Sequence, residues 1–405
     1  MSLIVQKYGG TSVGDADRIR AVADHVARTR RQGHDVVVVV SAMGKETDEL
    51  LHLADQVARS KPGREMDMLI TAGERKATAL LTMALIDAEV PAVSLTGSQA
   101  GFITDTAHQN AKILEVRGDR IRDAIAAGRV PVVGGAQGVS GESRDVTFLG
   151  RGGSDTTAVA LAAVLKADGC EIYTDVTGVF TADPRVVPDA RRLHRLSFEE
   201  MLEMTATGCP KPAMRSVEFA RNHGVRLHVR SAFTWEPGTW VEEEDPDMEQ
   251  AIISAVTHDT SEAKVTVTHV PDQPGIAARL FRALADHDVN VDMIVQNVSE
   301  RGTTDISFTT PKESLAVALE VAEGLLPEIG ADTVAADADV ARVSLIGAGM
   351  KTNPGVAATM FETLAGEGVN IEMISTSAIR ISCVVRAGEV EQAVQALHDV
   401  FQLSA

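Results

Sequence analysis

The chain has 405 residues, too many for one simple core, and its 57 Asp and Glu against 38 Lys and Arg give a formal net charge of −19. Two or three domains are expected, and nucleic acid and anionic membrane are poor partners on electrostatic grounds. Three widely spaced cysteines, Cys170, Cys209 and Cys383, fit neither a disulfide framework nor a zinc site, and with no long apolar span or cleavable leader the expectation is a soluble cytoplasmic protein.

Leu3 to Lys7 reads as a short apolar strand running into Tyr8-Gly9-Gly10-Thr11-Ser12, after which Asp15 or Asp17 can cap an amphipathic helix from Arg18 to about Arg31. Lys7 precedes the glycines and no G-x-x-x-x-G-K-[ST] occurs, so this is no Walker loop. The physical parts are the same: Lys7 can neutralise a phosphate that Gly9, Gly10 and Ser12 cradle. A plain strand-to-helix turn with Lys7 in water explains these residues equally. Val36 to Val40 is a continuous β-branched run, which marks a strand covered on both faces and hence a parallel sheet. Ser41 stands at its carboxyl end, where open α/β sheets bind ligands. Similar endings recur where Ala92 to Leu95 meets Thr96-Gly97-Ser98, Val130 to Val133 meets Gly134-Gly135, and Glu171 to Tyr173 meets Thr174-Asp175. Arg64 to Glu89 is expected as a long helix interrupted at Thr71-Ala72-Gly73-Glu74, because glycine inside a helix costs ~1 kcal/mol against alanine, and a bend there would aim Glu74 at the shared rim. A solvated helix position is the plainer account of Glu74.

A polar loop, Ser140 to Thr147, leads to Gly150-Arg151-Gly152-Gly153-Ser154-Asp155, which opens an Ala/Leu-rich helical run from Thr156 to Ala167. The first turn of a helix has unpaired N–H groups and the positive end of the dipole, and residues without a Cβ let an anion approach them. Arg151 adds a planar fork suited to carboxylate or phosphate, and Asp155 a negative charge suited to a metal or a lysine. The alternative is an ordinary turn with Ser154 or Asp155 as N-cap. Thr174 to Arg185 reads as a tight hairpin with two carboxylates and an arginine, able to hold a ribose and polyphosphate. Helices Phe198 to Ala206 and Arg215 to His223 and a strand, Arg226 to Arg230, follow. The acidic, proline-bearing stretch from Trp235 to Asp247 marks a domain boundary.

Beyond it lies an internal repeat with an offset of 80. Val265 to Val270, Pro274-Gly275-Ile276-Ala277-Ala278, Phe281, Leu284, Val289-Asn290 and Met293-Ile294 recur as Val343 to Gly347, Pro354-Gly355-Val356-Ala357-Ala358, Phe361, Leu364, Val369-Asn370 and Met373-Ile374. Each copy reads strand, Pro-Gly loop, helix, strand, strand, helix. The first ends in a strand near Thr333 to Ala336, whereas the second lacks a sixth strand. Ala251 to Thr257, left over before the first copy, is expected to supply it, so that the copies interleave.

Taken together these residues resemble the aspartate kinases of the amino acid kinase fold, with two ACT modules, over essentially the whole length. Lys7 to Ser12 is similar to the family's opening motif, Thr71 to Glu74 to its substrate motif, Gly150 to Asp155 to its central motif and Thr174 to Arg185 to its nucleotide loop. Four ordered motifs are a far more specific signal than any one. The resemblance implies an α/β fold, a mainly parallel sheet sandwiched by helices, followed by two ferredoxin-like βαββαβ modules. It divides the chain into a catalytic domain (1–245), a first ACT module (251–338) whose leading strand belongs to the second, and a second ACT module (339–405). It implies transfer of the ATP γ-phosphate to the side-chain carboxylate of L-aspartate. Such a nucleophile is already ionised, so the work lies in holding two anions together.

By the same resemblance Lys7 stabilises the transferring phosphoryl group, Gly9, Gly10 and Ser12 contact phosphate oxygens, and Asp155 orients Lys7 or a metal-bound water. Arg151 clamps the substrate α-carboxylate with Gly152, Gly153 and Ser154 beside it, Glu74 lies near the amino group, and Ser41 and Thr47 are lesser substrate contacts. Tyr173, Thr174, Asp175, Phe180, Asp183 and Arg185 are the implied nucleotide positions. Mg²⁺ arrives with ATP, and no protein-held metal is expected. Where the family has a short Gly-x-Lys, this chain reads Gly208-Cys209-Pro210-Lys211-Pro212-Ala213, with Lys211 one position late between prolines that alter its backbone. Lysine and threonine are the implied effectors, at positions including Asp272, Gly275, Ile276, Ala277, Asn290, Gln296 and Asn370, and pairing of ACT modules implies a homo-oligomer. Ile276 and Ala378 stand where relatives often carry carboxylates, so attraction for an ammonium effector, and with it feedback inhibition, is expected to be blunted. Two readings of other kinds remain: an amino-acid sensor without catalysis, and a kinase of another acceptor.

Overall fold

The computed structural model describes residues 2–243, 253–297, 302–351 and 353–404. The acidic boundary stretch beyond Glu243, and Ala251 and Ile252 of the leftover strand, lie outside the described residues. The described chain forms two compact units. The first holds the residues through Val179, Arg192–Thr205 and those from Pro210 on to Glu243; the second holds Phe180–Arg191, Ala206–Cys209 and the residues from Ile253 on. The units therefore do not follow a single cut near residue 245.

In the first unit, β1 (Leu3–Tyr8) leads through one 3-10 turn to α1 (Ala16–Arg31), whose first free N–H groups are met by the Asp15 side chain accepting from Arg18 N at 2.9 Å, and then to β2 (Asp35–Val40). Next come α2 (Glu46–Val57), α3 (Gly63–Asp87) and β3 (Ala92–Leu95). The expected break in α3 does not occur. Gly73 is there for room, since a Cβ would come within 2.9 Å of Ala42 Cβ, and that close approach outweighs its helix penalty. The chain continues through β4 (Phe102–Thr104), β5 (Ile113–Val116), α4 (Asp119–Ala126) and β6 (Val130–Gly134). The polar loop read from Ser140 to Thr147 is the turn of a hairpin whose arms, β7 (Gln137–Ser140) and β8 (Val146–Phe148), pair antiparallel before α5 (Gly153–Leu165) and β9 (Gly169–Thr174). The unit ends with β10 (Arg195–Ser197), α6 (Phe198–Ala206), whose last residue belongs to the second unit, α7 (Met214–His223), β11 (Leu227–Ser231) and β12 (Thr239–Glu242).

The main sheet runs β10-β12-β11-β9-β1-β2-β6-β3 and is parallel except where β11 meets β12. Its central strands are buried along their length, as the unbroken valine run of β2 requires. Alternation along β1 sends Tyr8 into the core shared with α1 and α3, and Lys7 to the opposite face, where α5 lies. That helix is rich in alanine and buried on all sides from Gly153 to Ala162, so it sits close to the sheet. A second, four-stranded sheet, β5-β4-β7-β8, was not foreseen; its strands are too short for alternation to be read.

In the second unit, β13 (Ala255–Asp259) precedes the two copies. The first comprises β14 (Glu262–Pro271), α8 (Ile276–Asp286), β15 (Ile294–Gln296), β16 (Thr303–Pro311), α9 (Leu315–Ile329) and β17 (Thr333–Asp337). The second comprises β18 (Val340–Ile346), α10 (Val356–Gly366), β19 (Met373–Thr376), β20 (Arg380–Arg386) and α11 (Val390–Val400). The sheets are β15-β16-β14-β17 and β13-β18-β20-β19, all antiparallel, so β13 lies beside β18 where β17 lies beside β14. Each sheet packs its two helices over an aliphatic core, Val265, Leu280, Leu284 and Ile306 in one copy and Val343, Met360, Leu364 and Leu397 in the other.

The hairpin expected over Thr174 to Arg185 is absent. The chain leaves β9 and crosses into the second unit after Val179, where Ala182, Val186 and Val187 join the core of the second copy and Thr181 carbonyl accepts from Val256 N at 2.7 Å. Burial of those three apolar side chains outweighs local turn preference.

Candidate active site

Because β9, β1, β2 and β6 run parallel, their carboxyl ends form one rim, and backbone bonds join the loops that leave it. Gly9 N donates to Tyr173 carbonyl (3.3 Å), Gly44 N to Gly10 carbonyl (2.9 Å) and Gly135 N to Val40 carbonyl (2.9 Å). Gly10 is required by closeness, since a Cβ would stand 2.8 Å from Ala42 carbonyl oxygen. In the single helical turn after it, Ser12 is buried and its Oγ has no hydrogen-bond partner among the described residues. An unpaired buried hydroxyl beside glycine N–H groups suits an anion.

Lys7 and Asp155 meet at this rim. Their ammonium and carboxylate are 2.6 Å apart, with side chains 4 % and 1 % exposed. Ala213 N donates to Asp155 Oδ2 at 3.1 Å. Burial works to raise the Asp155 carboxyl, but the charges of Lys7 and Lys211 and the bonds from Lys7 and Ala213 N hold it below the usual carboxylate range. Asp155 is therefore an ionised partner of Lys7, unsuited to act as a base. Lys211 itself is exposed, after Pro210 and before a cis peptide bond to Pro212.

The turn before α5 is built by Gly150 and Gly152, at φ 83° and 73°; Gly152, not Ser154 or Asp155, is the N-cap. A Cβ on Gly152 would fall 2.5 Å from Ala213 Cβ, and one on Gly135 2.6 Å from Ser154 Oγ. Gly135→Ala is accordingly expected to destabilise the protein by about 1–3 kcal/mol. A denaturation midpoint equal to that of the parent would show that the turn yields freely. Arg151 stands exposed at the turn, with Gly153 and Ser154 buried behind it. Ser41 follows β2 and Thr47 lies in the first turn of α2, both half-buried.

Glu74 is buried on the unbroken helix α3, facing the Ala42 loop. Burial, opposed by backbone N–H groups including that of Ala42 and reinforced by Glu46, pushes its carboxyl up to about 7. Its Oε2 has no hydrogen-bond partner among the described residues. A buried carboxyl poised near neutrality with an orphaned oxygen suits a cation supplied by a ligand.

The nucleotide positions divide. Thr174 is buried at the end of β9, where its Oγ1 accepts from Val176 N at 2.9 Å, and Asp175 beside it is exposed. The Tyr173 ring does not face the rim. It stacks on Tyr8 at 4.7 Å, and its hydroxyl donates to Glu171 at 2.9 Å. Only its backbone lies at the strand end, because alternation turns the ring toward the core. Phe180, Asp183 and Arg185 belong to the second unit, where Asp183 pairs with Arg185 at 2.6 Å. In the first copy of the repeat, Asp272, Gly275 and Gln296 sit toward the sheet end near Thr303, while Asn290 sits at the other, its carbonyl accepting from Thr310 Oγ1 at 2.8 Å. Ile276 and Ala277 open α8, with Ile276 packed in the core; Asn370 is exposed in the second copy. The N–H of Ala213, which holds Asp155, was passed over; a backbone donor leaves no mark in composition.

Residues 2–231 match the model of the amino acid kinase family, and residues 264–326 and 343–401 match models of the ACT domain. The chain is 56 % identical to the aspartokinase of Mycolicibacterium smegmatis over 100 % of its own length and 97 % of that protein. The chain belongs to the aspartokinase family. Among solved aspartokinases, E. coli aspartokinase III is similar in two states. The complex with aspartate and ADP has a TM-score of 0.83 at 24 % identity, covering 98 % of this chain and 99 % of that one. The complex with lysine and aspartate has a TM-score of 0.76 at 25 % identity, with the same coverage. The aspartokinase resemblance and the fold class expected from the motifs both hold, as does the expectation of a phosphotransferase. Among the described residues no group of three His, Cys, Asp or Glu side chains offers a metal cage, and no helix is long and apolar enough to cross a membrane.

Proposed function

We propose that the chain transfers the γ-phosphoryl group of ATP to the side-chain carboxylate of L-aspartate at the rim of the first unit. The observation that carries this is the buried Lys7–Asp155 pair beside a glycine turn with an unpaired Ser12 hydroxyl. A carboxylate oxygen of aspartate forms the new bond to phosphorus, the bridging P–O bond to ADP breaks, and no proton need move. Two anions must be brought together, so positive charge and N–H groups supply most of the catalysis. Lys7, held by Asp155, meets charge developing on the transferring group; Gly9, Gly10 and Ser12 cradle the phosphates, and Lys211, whose charge acts on Asp155, adds to that field. Backbone groups of Tyr173 and Thr174, and Asp175, lie at the nucleotide side. Arg151, with Gly152, Gly153 and Ser154, takes the α-carboxylate, Glu74 the ammonium, and Ser41 and Thr47 flank the acceptor. Mg²⁺ enters as the ATP complex, and no step is assigned to protein ligands for it.

Residues 1–245 are read as the catalytic domain and the repeat as two regulatory modules that pair between copies of a cytoplasmic homo-oligomer. Lysine and threonine are the proposed effectors; the E. coli relative bound to lysine supports the first. Their effect is blunted here, because the Ile276 side chain fills core space and Ala378 offers no carboxylate. The test is acyl phosphate trapping with hydroxylamine in the presence of ATP and Mg²⁺. Aspartate should yield hydroxamate, glutamate and other amino acids little, and millimolar lysine plus threonine should inhibit only modestly. No aspartate-dependent product would overturn the activity, and strong inhibition would overturn the blunting.

A further inference from the structure

Phe148 ends β8, and Leu149 after it leads directly into the Gly150-Arg151 turn. All four main-chain polar groups of Phe148 and Leu149 are engaged. Phe148 N donates to Asp67 Oδ2 (3.0 Å) and its carbonyl accepts from Ala111 N (2.9 Å). Leu149 N donates to Ala136 carbonyl (2.8 Å) and its carbonyl accepts from Arg215 Nη1 (2.7 Å). Arg215 Nη2 also donates to Ala111 carbonyl at 2.9 Å. Asp67, fully buried, accepts in addition from Gln109 N (2.9 Å) and His108 Nδ1 (2.7 Å). Two charged side chains are thus spent on backbone groups of one short stretch. Burial lowers the Arg215 guanidinium from its ordinary value, so this arrangement opposes the natural tendency of such groups to stay in water. A strand end at the surface needs no such arrangement, since water can serve it. Asp67 also stands seven residues before Glu74 on α3, about two turns along one face. One helix therefore carries both Glu74 and the anchor of the Arg151 turn.

We propose that Asp67 and Arg215 are positioning residues for Arg151, fixing the chain that leads into its turn so that the guanidinium meets the α-carboxylate of the acceptor. This rests on the role given to Arg151 above. In the full-length protein, Arg215→Met is expected to raise the KM for aspartate about 3- to 10-fold while the KM for ATP stays within about twofold. Arg215→Lys, which keeps one donor for the Leu149 carbonyl, should recover part of the loss. In an Arg151→Met background, Arg215→Met should add little, because its effect passes through Arg151. An unchanged aspartate KM in Arg215→Met, or the same fold-change with and without Arg151, would overturn the inference. If Arg215→Met does not fold, Asp67→Asn, which retains one acceptor oxygen, is read the same way. A parent protein with no aspartate-dependent product defeats the functional reading, whereas an active parent with an unmoved KM defeats this inference alone.

Discussion

Lys7→Ala is expected to lower kcat by about 10²–10⁴-fold in the hydroxamate assay while the protein remains folded at the assay temperature. The size follows from where the ammonium is. It is buried, 2.6 Å from Asp155, at the end of the strand that enters the glycine turn. In a site with little water a single charge acts on a transferring phosphoryl group far more strongly than at the surface. Removing it also leaves Asp155 without its nearest cation, a loss of about 3–5 kcal/mol for a typical buried pair. Lys211 and the Ala213 N–H offset part of that. Asp155→Asn separates the two effects: the amide oxygen can still accept from Ala213 N, but the charge that orients Lys7 is gone. Turnover should fall about 10²-fold or more with a smaller change in stability. Activity near that of the parent in Lys7→Ala, measured where circular dichroism reports a folded protein, would remove Lys7 from the chemistry.

The residues that make this pair were legible because each sits in a local pattern that needs few distant partners. The glycines of the opening turn follow an apolar strand, and the Arg-Gly-Gly-Ser-Asp stretch opens an alanine-rich helix, so chain-local physics marks both as candidate anion sites, and the family resemblance favours that reading over plain turns. The valine run of β2 gave the parallel sheet, and the sheet rule then put the loop ends on one rim. What escaped depends on contacts far along the chain. Gly73 looked like a helix break until Ala42 proved to be packed against it. The resemblance implies a nucleotide position at Tyr173, yet strand alternation turns its ring onto Tyr8. Residues 180–185 read as part of a nucleotide-holding hairpin because Asp183 and Arg185 are conspicuous. Val186 and Val187, which take them into the second unit, are not. Nothing in the residues around Asp67 and Arg215 reveals that they grip the backbone at Phe148 and Leu149.

The KM for aspartate is expected to fall as pH rises through about 7, and Glu74→Gln is expected to abolish that slope and raise KM about 10- to 100-fold at pH 8. Burial pushes the Glu74 carboxyl up to about 7, so half the unliganded protein carries it neutral at that pH. Only the ionised form attracts the substrate ammonium, so binding draws the proton off and strengthens as protons become scarce. The amide of the variant has neither charge nor titration and should bind weakly at every pH. The same shift has a signature in stability without substrate. A carboxyl whose folded value lies above its ordinary value near 4.5 favours the folded state fully below that ordinary value, and the benefit is lost as pH rises toward 7. For a group this buried the swing is about 3 kcal/mol. Between pH 5 and pH 8 the melting temperature of the parent should therefore fall relative to that of Glu74→Gln. Parallel melting curves would place the Glu74 titration outside this range, and an aspartate KM with the same pH slope in both proteins would assign the slope to another group.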